Sequence, residues 1–168
     1  MKKILGLSLI LLLFAGVSFA TNIPKVTAPE STSEVWLAEV YLNSSTAADD
    51  GDVLIWDIDA STGDEFMYVI QTTTANTGPI AGVAYGDISA NSVGRIVIWG
   101  QYDVDLSGAN GAAGGIGNPI ITSTTSGAGN PVTTGGSIYH VGYLLESTTK
   151  TSTTASAFID PGLGSLSN

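Results

Sequence analysis

From residue 34 onward the chain alternates apolar and polar positions with a period of two, interrupted by clusters of glycine, asparagine and aspartate. Half-buried strands joined by turns read this way. The pattern predicts strands over Glu34–Asn43, Asp52–Asp59, Phe66–Thr74, Ile80–Tyr85, Arg95–Leu106, Ile120–Thr125, Ile138–Leu145 and Ala155–Ile159. In the first, Trp36, Ala38, Val40 and Leu42 share a face, and the Val, Trp and Tyr content favours strand over helix. In the second, Leu54, Trp56 and Ile58 share a face. The clearest is Arg95–Leu106, where Ile96, Ile98, Tyr102, Val104 and Leu106 alternate with Arg95, Val97, Trp99, Gln101, Asp103 and Asp105. Gly100 falls on the apolar face, a position suited to a bulge or a bend.

About eight short strands with turn chemistry between them, and no convincing amphipathic helix, predict an all-β fold. The expected form is a single small antiparallel β-barrel or β-sandwich. The glycine-rich stretches Ser107–Pro119 and Gly127–Gly136 read as loops.

The N-terminus carries a different pattern. Residues 1–20 combine Lys2 and Lys3, an apolar run from Ile4 to Phe14, and the small residues Ser18 and Ala20 at signal-peptidase spacing, so they read as a secretory signal. The run falls short of the roughly 20 residues that span a bilayer as a helix, which predicts no membrane span after cleavage. Residues 21–33, with Pro24, Pro29 and several hydroxyl residues, read as an extended N-terminal arm, and residues 34–168 as the barrel or sandwich domain.

Charge narrows the partners. The chain has a formal net charge of −10, which becomes −12 once Lys2 and Lys3 leave with the signal. Only Lys25, Arg95 and Lys150 then remain as cations, too few to bind nucleic acid through its phosphates. The absence of cysteine excludes disulfides, thiol catalysis and thiolate metal sites.

Candidate chemistry is sparse. The run GAAGGIG at Gly111–Gly117 lacks the lysine and hydroxyl residue of a P-loop and reads as a turn. His140 is the single histidine, with no serine elbow to serve, and is expected to be solvated or hydrogen-bonded. Asp57 with Asp59, and Asp103 with Asp105, stand at the spacing of paired glycosidase acids, but short strands leave little material for a cleft. No catalytic residue and no required cofactor is therefore expected. Asp49, Asp50 and Asp52 around Gly51 are candidate calcium ligands, since hard cations take oxygen ligands from such turns, although the EF-hand spacing is absent.

Aromatic and hydroxyl residues point toward assembly. With Ile96 and Ile98 in the core, Val97 and Trp99 are expected to face outward, an apolar pair that a subunit contact, or the chain's own arm, would cover. Val35, Trp36 and Leu37 open the first strand, the natural donor or the link to one, and complete the candidate assembly surface. Beyond Ala20 there are 16 serines and 19 threonines, small hydroxyl side chains that lose little entropy when a contact buries them.

Five segments, GDVLIWD (51–57), TTTAN with IAGVAYG (72–86), GRIVIWGQYDVDL (94–106), GNPIITSTTSGAG (117–129) and YHVGYLLES with AFIDP, resemble the small β-barrel domains of phage head-decoration and fibre proteins. The resemblance implies a long barrel strand for the third segment and a turn for the fourth, where Asn118 stands in place of the usual aspartate. The secretory signal departs from that family, whose capsid proteins assemble in the cytoplasm.

The resulting expectation is a non-catalytic, secreted and cell-surface-associated subunit that assembles with copies of itself into a filament, tube, sheath or layer. Its arm would pair with a strand edge of the next copy. An adhesin or carbohydrate-binding module stacking sugars on Trp36, Trp56 or Trp99 is the alternative, and a phage-type capsid decoration protein a further one.

Overall fold

The computed structural model describes residues 34–59, 67–108, 111–133 and 139–163. The predicted signal and arm lie outside these residues. All described strands belong to one compact unit, Ser33–Asn168. They are β1 (Val35–Leu42), β2 (Val53–Trp56), β3 (Tyr68–Gln71), β4 (Ile80–Ala84), β5 (Val93–Asp105), β6 (Pro119–Thr122), β7 (Gly129–Pro131), β8 (Tyr139–Leu144) and β9 (Thr154–Leu163). No helix among the described residues is long and apolar enough to cross a membrane.

The nine strands make one sheet in the order β1-β3-β2-β4-β5-β9-β8-β6-β7, and a further β1–β5 pairing closes the first five into a ring. The fold is all-β, as expected, but the sheet is mixed rather than purely antiparallel. Tyr41 and Leu42 of β1 pair in parallel with Tyr68 and Val69 of β3. The cause is arithmetic: strand direction cannot alternate all the way round a ring of five, so one pair must run parallel.

Two hydrophobic cores follow from this closure. The ring core gathers Val40, Leu42, Leu54, Val69, Ala81, Ala84 and Ile96, one or more from every strand of the ring, with Ala48 and Ile88. The outer core joins Val53, Ile80, Val83 and Val97 to Val104 in the far half of β5 and to Ile120, Val141, Leu144, Ala157 and Ile159 of the remaining sheet. Consecutive residues Val53 and Leu54, Val83 and Ala84, and Ile96 and Val97 thus enter opposite cores, so β2, β4 and the first half of β5 are buried on both faces. Each fully buried Leu, Ile or Val contributes about 1.5–3 kcal/mol relative to exposure.

A bulge in β5 reverses the expected facing. Trp36 pairs with Trp99 but Leu37 pairs with Val97, so Ile98 has no partner and the alternation shifts by one residue. Ile96 and Ile98 face the ring core, whereas Tyr102, Val104 and Leu106 face the outer core together with Val97. The outward position expected for Val97 is therefore corrected: its side chain is fully buried. Gly100 follows the bulge at φ +112°, with the Glu34 carbonyl where a β-carbon would sit. Only glycine combines that backbone angle with so close a strand.

β7 arises within a segment whose glycines, asparagine and proline read as a loop; its pairing with Ile120, Ile121 and Thr122 makes it a strand.

Candidate functional site

The β5 bulge turns Trp99 onto the sheet face opposite the outer core, and there it meets aromatic residues from neighbouring strands. Trp36 lies across the β1–β5 pair with ring centroids 5.2 Å apart, and Phe158 of β9 meets Trp99 edge-on at 5.2 Å and 84°. Phe158 is the register partner of Tyr143 on β8, whose ring stands 5.0 Å from that of His140. The result is an aromatic stripe running across β1, β5, β9 and β8. It is open to solvent: Trp36 is 61% exposed, Tyr143 37%, Trp99 36%, and Leu145 at the stripe's margin 40%. Glu34, Asp103 and Asp160, all exposed, border it.

The candidate assembly residues divide accordingly. Trp36 and Trp99 stand side by side in the stripe. Leu37 is exposed, Val35 is half-buried against the outer core, and Val97 is inside that core. Phe158 and Tyr143 complete the stripe and were not evident from alternation, because only the β5–β9 and β8–β9 registers bring them beside Trp99.

The acidic turn lies at the far end of β5 and is a structural joint. Asp52 is buried, and its Oδ2 accepts hydrogen bonds from Gln71 Nε2 at 2.6 Å and the Asp49 amide at 2.9 Å. Asp50 Oδ1 accepts from the Gly86 amide and from the Tyr102 hydroxyl, both at 2.7 Å. The Asp105 amide donates to the Gly51 carbonyl at 2.9 Å. Burial, partly offset by its hydrogen bonds to the Asp49 amide and Gln71, holds the Asp52 carboxyl above its ordinary range. Burial, with the nearby charges of Asp52, Asp49 and Asp50, pushes Asp105 up to about 6. Burial and the bond to Asp50 raise the Tyr102 phenol as well. The oxygens of Asp50 and Asp52 are thus engaged by different strands, and among the described residues no group of three or more acidic or histidine side chains is arranged to hold a metal ion.

In the GAAGGIG run the Ala112, Gly114 and Gly115 amides donate to Asn130, Thr148 and Asn118 side chains, so these donors are committed within the fold. Asp57 accepts from Asn43 Nδ2 at 2.6 Å, and Trp56 is half-buried, packed against the ring core. His140 is buried, not solvated, because a bulge at Val141 displaces the alternation of β8. A shallow open groove of about 250 Å³ beside the stripe is lined by Asp50, Gln101, Tyr102, Asp103 and Ser156.

No family model matches the chain, and no curated protein sequence matches it. Among solved structures it is similar to the head fiber gp8.5 N base of bacteriophage phi29, with a TM-score of 0.50 and 15% sequence identity, over 79% of this chain and 100% of that one. At that identity the likeness is one of fold, and it agrees with the fibre-type fold expected from the five sequence segments.

Proposed function

We propose that the protein is a non-catalytic structural subunit, exported and assembled with copies of itself into a fibre-like array. The observation that carries this reading is the solvent-open stripe of Trp36, Trp99, Phe158 and Tyr143 on a fold similar to that of a phage head fibre protein. Contiguous apolar area on a small soluble domain marks a contact surface. Three of the acids that suggested hydrolysis or calcium binding, Asp50, Asp52 and Asp57, are taken up in hydrogen bonds that join strands and loops, which supports a structural role for them. A sugar-stacking platform is less well supported: Phe158 meets Trp99 edge-on, and Trp56 packs on the ring core.

The test is to express the whole chain with its own N-terminus, collect the exported protein and image it by negative-stain electron microscopy beside sedimentation velocity. The expected result is a product beginning at Thr21 that forms particles growing with concentration. A product of single-subunit mass at millimolar concentration overturns the assembly; retention inside the cell overturns the export.

A further inference from the structure

We infer that the aromatic stripe is the receptor for the proline-containing segment Ile23–Pro29 of a second copy, a contact that rests on the assembly reading above. Edge pairing, the expected route, has short borders to work with: the edge of β1 turned away from β5 meets β3 only at Tyr41 and Leu42 and offers Val35–Val40, and the last strand of the sheet, β7, has three residues. The larger apolar surface that the fold leaves open is a face.

The chemistry of that face selects its occupant. Extended proline-bearing peptides dock on aromatic side chains because proline is already restricted and presents a flat apolar ring. Ile23, Pro24, Val26, Ala28 and Pro29 supply such a peptide, with Lys25 among them. The stripe is bordered by the carboxylates of Glu34, Asp103 and Asp160, so the segment's single cation meets an acidic rim. Reach is ample: 13 residues span roughly 40 Å when extended, whereas four adjacent strands cover about 15 Å.

Geometry favours a second copy over the chain's own segment. The Glu34 carbonyl is held against Gly100, and Val35 pairs with Gly100, so the chain enters β1 along the strand direction. The stripe runs across the strands. A neighbour's segment can approach the stripe from across the strands, whereas the chain's own meets β1 at Glu34, in line with the strand. Repeating this head-to-tail contact without closure builds a fibre.

Two variants of the chain beginning at Thr21 test the inference. One carries Trp36→Ser, which opens no core because that ring is mostly exposed. The other carries Pro24→Ser, Lys25→Glu and Pro29→Ser together. Thermal melts establish that both fold. Alone, each should assemble at least tenfold more weakly than the unaltered chain in sedimentation velocity. Mixed in equal amounts and labelled with donor and acceptor dyes, they should form a paired species, since the first retains the segment and the second retains the stripe. A mixture that stays unpaired, or either variant assembling like the unaltered chain, overturns the docking and leaves the assembly reading standing. An unaltered chain that never assembles overturns both.

Discussion

The Tyr102 hydroxyl donates a 2.7 Å hydrogen bond to Asp50 Oδ1, fastening the second half of β5 to the acidic turn that precedes β2. Tyr102→Phe removes that bond while keeping the ring that packs on the outer core. We expect a loss of about 1 kcal/mol in unfolding free energy, read from urea denaturation. An unchanged midpoint would show that the fastening contributes nothing.

Acid should stabilise the protein over a defined window. The folded-state pKa of Asp105, about 6, lies above its ordinary value of 3.8, so the folded chain holds more protons than the unfolded one between these limits. Stability therefore rises as pH falls from about 7 toward 4, and Asp52, shifted the same way, adds to the trend. The melting temperature should be higher at pH 5 than at pH 7.5 by on the order of a few °C. Asp105→Asn should raise it at pH 7.5 and flatten the profile; a melting temperature that falls on acidification would contradict the sign of this linkage.

Substitution at Gly100 should damage the fold. Gly100→Ala forces a side chain into a left-handed backbone and against the Glu34 carbonyl. A cost above about 2 kcal/mol is expected from combined strain and strand displacement. Gly117→Ala is the control, with a comparable backbone angle of φ +80° but open space around it, and should cost about 1 kcal/mol. Equal losses in chemical denaturation would show that the close approach of Glu34 adds nothing to the backbone strain.

Val97 and Trp36 separate stability from assembly. Val97→Ala leaves a cavity in the outer core and should cost about 2 kcal/mol, with assembly affected only through folding. Trp36→Ser should change stability by no more than about 0.5 kcal/mol yet weaken assembly. Calorimetry and sedimentation on the same samples distinguish the two, and parallel losses in both variants would place Trp36 in the folding core.

Much of this architecture was legible in the chain, because strand existence depends on local alternation. β4 begins at the predicted Ile80 and ends one residue short of the predicted Tyr85. Facing was less legible. Alternation assigns Val97 to the surface because it carries no record of the Ile98 bulge, which depends on how β1 pairs. Val53 and Ile55, which alternation places opposite Leu54 and Trp56, pack on the outer core, since β2 is covered on both sides. β7 was hidden because its asparagine and proline signal a turn, and only partners on β6 override them. The stripe was half visible: Trp36 and Trp99 stand out in sequence, whereas Phe158 and Tyr143 join them through long-range register.

β5 is common to both hydrophobic clusters, giving Ile96 to one and Val97 and Val104 to the other. Neither cluster has a boundary at which it could melt alone, because loosening either withdraws a wall from its neighbour. A domain made this way yields all at once or not at all, so its unfolding should be a single transition by every probe.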